Sequence, residues 1–187
     1  MTLRLTLVCH ASTAALREDR FAGDDELDDI GRRDAPGIAS QLPRPDRVWT
    51  SPSRAAMETA QLLGLTGEPE ELLRECDFGR WRGRSLEEVH TAEADVLASW
   101  GTDAFAAPHG GESFVDLMVR ADEWLQLRAQ AEGRELVIGD PLILRAVIAC
   151  ALGGSAAMLW NLDLAPLSLV RLNFSGGRWH LRFDKGD

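Results

Sequence analysis

Cysteine is scarce in this chain of 187 residues: three thiols, Cys9, Cys76 and Cys150, with no Cys-x-x-Cys pair among them. That excludes a disulfide framework and a paired-thiol zinc site, and it implies free thiols. No signal-like apolar stretch opens the sequence, so the expected compartment is the cytoplasm. No apolar run reaches the roughly 20 residues that a membrane-spanning helix needs. Internal repeats and low-complexity tracts are missing as well. Positive charge is short, with 20 Lys and Arg against 30 Asp and Glu and a net charge of −10. Such a balance opposes nonspecific attraction to nucleic acid or an anionic membrane, although a local basic pocket remains compatible with it. What is present, 45% hydrophobic and 27% charged residues, suits one globular domain spanning 1–187.

Apolar strand-like runs alternate with helical patterns. Residues 3 to 8 read as a buried strand that stops at His10, and parallel α/β sheets place their chemistry just beyond the carboxyl ends of strands. Asp28 to Leu42 carries a helical pattern weakened by Pro36-Gly37. Arg47 to Thr50 is a short strand, after which Ser51-Pro52 reads as an N-cap with proline at the first helical position, opening a helix to about Leu63. Ser85-Leu86-Glu87-Glu88 is a capping box for a helix toward Trp100, and Ser113 opens another that should bury Phe114, Leu117, Ala121 and Leu125. Glu135 to Gly139 is a strand, Asp140-Pro141 begins a helix to Cys150 or Ala151, and Leu167–Phe174 with Arg178–Phe183 flank Ser175-Gly176-Gly177 as a hairpin. This order predicts a three-layer α/β/α sandwich with a mostly parallel mixed sheet. The six tryptophans are expected in the core or in a pocket wall.

Five blocks in fixed order carry a family resemblance: Val8-Cys9-His10-Ala11; Leu27 to Gly31; Thr50-Ser51-Pro52 with Thr59 to Leu63; Leu73 to Gly83; and Pro108 to Ser113. Together they resemble the histidine phosphatase, or phosphoglycerate mutase-like, superfamily, most nearly its α-ribazole phosphatase-like members. The resemblance covers nearly the whole chain and implies a phosphoglycerate mutase-like fold, with residues 84–112 as a small cap over the cleft. It also implies phosphomonoester hydrolysis in which His10 takes the phosphoryl group and Glu75 is the proton donor.

Three positions depart from the pattern. Cys9 replaces the family's arginine before the histidine, Ala55 stands at the second arginine with Arg54 one place early, and Asp140 replaces the second histidine. On a helix, one residue is a rotation of about 100°. Phosphoryl transfer rests on positive groups around the phosphate, so two lost arginines and a gained carboxylate should cripple it. The same residues have plainer readings: Asp140 as a helix N-cap, Cys9 as a small buried apolar group, Ala55 as a helix former, Glu75 as a loop carboxylate.

Catalytic candidates are therefore His10, Glu75 and Asp140, and substrate-binding candidates are Cys9, Ser12, Arg54 and His109, with Arg17 and Arg145 as possible replacement cations. Cys76 to Arg82 has a Cys-x5-Arg spacing but no preceding strand. No ligand-pair spacing accompanies Cys9, His10, Glu75 and Asp140, so no metal or other cofactor is expected. Three functions stay open: an impaired phosphomonoesterase, a noncatalytic member that binds a small molecule or protein, and altered chemistry on His10 with Asp140. The partner expected is a small molecule, phosphorylated if the family chemistry survives.

Overall fold

The computed structural model describes residues 2–183. Its six-stranded sheet is built around β1 (Leu3–Cys9), with β2 (Arg47–Thr50), β3 (Glu68–Pro69), β4 (Gly133–Gly139), β5 (Leu169–Ser175) and β6 (Arg178–Arg182) in the order β3-β2-β4-β1-β5-β6. The first four strands of that order run parallel, β5 pairs antiparallel with β1, and β6 pairs antiparallel with β5. Gly176 and Gly177, both at positive φ, make the tight turn of the terminal hairpin.

Alternation along the strands sends side chains to two helical layers. Leu5, Leu7 and Cys9 of β1 and Val137 of β4 join the larger core with α4 (Leu86–Thr102), α5 (Phe114–Arg128) and α6 (Pro141–Ala151). Val8, Leu136 and Ile138 face the other way, onto Ala56 and Ala60 of α3 (Arg54–Leu62). Two short helices precede α3 in the chain, α1 (Ala14–Arg17) and α2 (Asp29–Asp34). This is the three-layer mixed-sheet architecture expected from the sequence. The expected capping box is formed at Ser85, the expected helix start at Ser113 carries a second one with Asp116, and the four predicted apolar positions of α5 are buried.

Three local expectations need correction. The helical pattern from Asp28 to Leu42 divides into α2 and a 3₁₀ helix over Ala35–Gln41, in which Pro36 sits near the start. The third helix begins two residues late: Ser53, not Ser51, caps it, accepting from the Ala56 N–H. Asp140 occupies the N-cap position of α6 but makes no capping hydrogen bond. Close packing seats α2 against the loop after β1, where a Cβ at Gly31 would run into the Ser12 backbone.

Candidate active site

The carboxyl ends of three parallel strands converge on one cavity. Cys9 of β1 is paired in register with Gly139 of β4, so the next residues, His10 and Asp140, leave the sheet side by side. The His10 N–H donates to the Gly139 carbonyl at 2.9 Å, and the Ser51 N–H, just past β2, donates to the Ile138 carbonyl at 2.9 Å. The backbone thus brings together residues that lie far apart in sequence.

Both ring nitrogens of His10 are engaged. Nδ1 lies 2.7 Å from the Ala11 carbonyl, which can only accept, so Nδ1 carries a hydrogen. Nε2 faces Asp140 Oδ1 at 3.5 Å, with both side chains almost fully buried. Ser51 Oγ donates to the other oxygen of Asp140 and lies 2.9 Å from Ser53 Oγ. Burial opposes charge on either partner. The mutual attraction of His10 and Asp140 overrides it, holding the imidazole above its ordinary value and the carboxyl below its own, with Ser51 and Ser53 further favouring the carboxylate. The contact thus favours the imidazolium–carboxylate form of the pair.

Glu75 performs the capping that Asp140 does not. Its carboxylate accepts from the N–H groups of Leu142 and Ile143, each at 3.1 Å in the first turn of α6, and from Cys76 at 2.7 Å. Burial nevertheless pushes its pKa up to about 7, with the Asp140 charge adding to the shift, while the Cys76 and Leu142 N–H groups and His10 oppose it. Near neutral pH, Glu75 is the group that can hold or release a proton.

The cavity, about 270 Å³, is lined by His10, Glu75, Asp140, Ala55 and Arg145, with an aromatic wall that includes Phe21, Trp100, Phe114 and Trp160. Trp100 lies 5.8 Å from Phe21, 4.6 Å from Phe114 and 5.6 Å from Trp160, so that wall is continuous. Leu86 and Trp100 come from the segment expected to act as a cap.

Four sequence-predicted binding residues lie away from the wall. Cys9 points into the core with its Sγ directed at the Leu164 carbonyl, and burial pushes its thiol far up. Ser12 donates to Asp28 at 2.9 Å. His109 is enclosed by Phe78, Trp81 and Trp100, and burial lowers its pKa. Arg54 is exposed and paired with Glu26 at 2.9 Å, whereas its neighbour Ala55 faces the cavity. Arg17 pairs with Asp28 at 2.7 Å. Sequence reasoning also missed Ser51 and Ser53 as partners of Asp140; the position of Ser51 at the end of a parallel strand beside β4 was the available signal. Among the described residues, no group of three or more His, Cys, Asp or Glu side chains is arranged to hold a metal, and no helix is long and apolar enough to cross a membrane.

Over residues 5–184 the chain matches the profile of the histidine phosphatase superfamily, branch 1. The chain belongs to that superfamily. Among its relatives, a glucosyl-3-phosphoglycerate phosphatase from Mycolicibacterium vanbaalenii is 35% identical over 164 residues, covering 83% of this chain and 72% of the relative. Other mycobacterial relatives are longer, and the chain spans about half their length. The native structure of a mycobacterial glucosyl-3-phosphoglycerate phosphatase superposes with a TM-score of 0.83 at 25% identity, covering 97% of each chain. An Escherichia coli protein provisionally described as an alpha-ribazole-5′-P phosphatase gives a TM-score of 0.87 at 24% identity over 96% of this chain and 94% of its own, which is a likeness of fold.

Proposed function

We propose that this member of the superfamily uses its cleft to bind a small molecule, and that phosphomonoester hydrolysis through His10 is slow or lost. One observation carries the reading: His10 Nε2, the atom that would attack phosphorus, faces the Asp140 carboxylate at 3.5 Å. An imidazolium has no lone pair at that nitrogen, and nucleophilic catalysis needs one. A phosphate drawn to His10 would also approach Asp140. Two unit charges about 4 Å apart at an effective dielectric near 20 interact by roughly 4 kcal/mol, before desolvation and screening.

The two missing arginines are not replaced in place, although Arg145, and an Arg20 engaged by Glu18 and the Gly83 carbonyl, also border the cavity. Ala55 faces the cavity where the family pattern has arginine, and Arg54 is turned away to Glu26. Loss of one such stabilising donor typically costs about a hundredfold or more in rate. Glu75 retains a pKa suited to proton transfer, up to about 7, but an acid without a nucleophile does not complete the reaction. Altered chemistry on His10 with Asp140 is less well supported, because Nδ1 is held by Ala11 and Nε2 by Asp140. The phosphatase activities named for the relatives belong to those proteins.

Steady-state assays with p-nitrophenyl phosphate and phenyl phosphate test the reading. The expected rate is close to the blank and unchanged in His10→Ala. Rapid turnover abolished by His10→Ala would overturn it.

A further inference from the structure

Arg145 stands out among the cations around the cavity. It projects from α6, and its Nε is buried with no hydrogen-bond acceptor among the described residues. Its sole ion-pair partner there, Asp163, is fully exposed and lies 3.8 Å from Nη2, beyond hydrogen-bonding distance. The other positive groups on the wall are engaged: His10 by Asp140, and Arg20 by Glu18 at 2.8 Å and the Gly83 carbonyl at 3.2 Å. Nε itself is enclosed while the side chain as a whole is a quarter exposed, so a ligand's carboxylate meets the guanidinium at its Nη–H groups, which also form a planar fork.

We propose that the cavity binds a small aromatic or otherwise apolar monocarboxylate, its carboxylate on the Arg145 guanidinium and its body against Phe21, Trp100, Phe114 and Trp160. The inference rests on the reading of the cleft as a ligand site and supplies the ligand class. Charge sets the limit on the anion: Asp19, Asp25, Glu75 and Asp140 also border the cavity. A phosphate ester, nearly doubly charged at neutral pH, brings more negative charge than one open guanidinium balances. A single carboxylate is matched by it. The aromatic wall then removes the apolar body from water, which is how most small-molecule pockets generate affinity around a few orienting polar groups.

Calorimetric titration of the full chain tests this with benzoate, phenylacetate and indole-3-acetate, the matched amines benzylamine, phenethylamine and tryptamine, and phenyl phosphate. Tryptophan fluorescence offers a second readout, since Trp100 and Trp160 form part of the wall. The expected result is saturable binding of at least one carboxylate, tighter than its amine by about tenfold or more. Arg145→Gln should weaken that binding by about tenfold, whereas Arg20→Gln should change it by less than about threefold. Arg145→Lys, which keeps the charge but not the fork, should fall between wild type and Arg145→Gln and serves if the glutamine variant does not fold. Equal or tighter amine binding, no carboxylate saturation by about 10 mM, or wild-type affinity in the Arg145 variants would overturn the proposal. His10-dependent turnover of phenyl phosphate would instead defeat the preceding functional reading, leaving the carboxylate preference to the binding comparison.

Discussion

Arg120 and Arg145 sit on adjacent packed helices, α5 and α6, and meet opposite surroundings. Arg120 is buried and saturated: it donates to Glu112 at 2.9 and 2.8 Å, to the Leu72 carbonyl at 2.8 Å and to the Arg74 carbonyl at 2.7 Å. Those contacts fix the segment that delivers Glu75 to the cavity. Arg145 has a buried nitrogen without an acceptor and borders open space. A buried donor left unpaired costs roughly 1–3 kcal/mol, so a saturated arginine stabilises the fold while an unsaturated one lowers stability and is available to a ligand.

Stability measurements should separate the two arginines most sharply. Arg120→Met leaves Glu112 only the more exposed Arg74 as a charged partner and strips the Leu72 and Arg74 carbonyls of their donor, and should cost about 3 kcal/mol in urea denaturation. Arg145→Gln, without ligand, should not lower stability by more than about 1 kcal/mol and should raise it if the unpaired Nε is relieved. Similar losses in both variants would remove the distinction between an arginine that holds the fold and one that awaits a ligand.

Glu75, held beside both helices, gives the next largest effect. Its folded pKa, up to about 7, lies above the ordinary 4.5, so the native state binds its proton more tightly than the unfolded chain. The resulting stability is fully present below pH 4.5 and lost as pH rises through about 7; a shift of this size is worth on the order of 3 kcal/mol. Urea midpoints across that window should fall with rising pH in the wild type and fall less in Glu75→Gln. His10, also raised, acts in the same direction, but only as pH rises above 6.5. An unchanged slope in Glu75→Gln would show that Glu75 does not set it.

The smallest effect belongs to Arg54, which is exposed and outside the cavity. Arg54→Ala should alter stability by less than about 1 kcal/mol and leave benzoate binding unchanged in the same calorimetric assay. A large loss of binding would return Arg54 to the list of cavity cations.

Much of this arrangement is readable from residues in order. The helix starts at Ser85 and Ser113 are set locally, so sequence spacing is enough to find them. The convergence of His10, Glu75 and Asp140 follows from strand ends and the family blocks. The failures come where distant groups compete for one residue. Asp140 has the form of an N-cap, yet its carboxylate is taken by His10 and Ser51, and the helix donors are met by Glu75 from another loop. Ser51 likewise resembles a cap until Asp140 claims its hydroxyl, leaving Ser53 to start the helix. Arg145 is one of two possible replacement cations in the sequence, and only its surroundings in three dimensions, a place on the cavity wall and an unsatisfied nitrogen, separate it from Arg17.

The register of β1 against β4 makes positions 10 and 140 spatial neighbours whatever side chains they carry. The backbone therefore works as a socket with two adjacent pins. Histidine opposite histidine would gather positive charge there, whereas histidine opposite aspartate closes the pair upon itself. A change of ligand preference in this scaffold can thus be written in a single residue at a strand end, with every strand left in place.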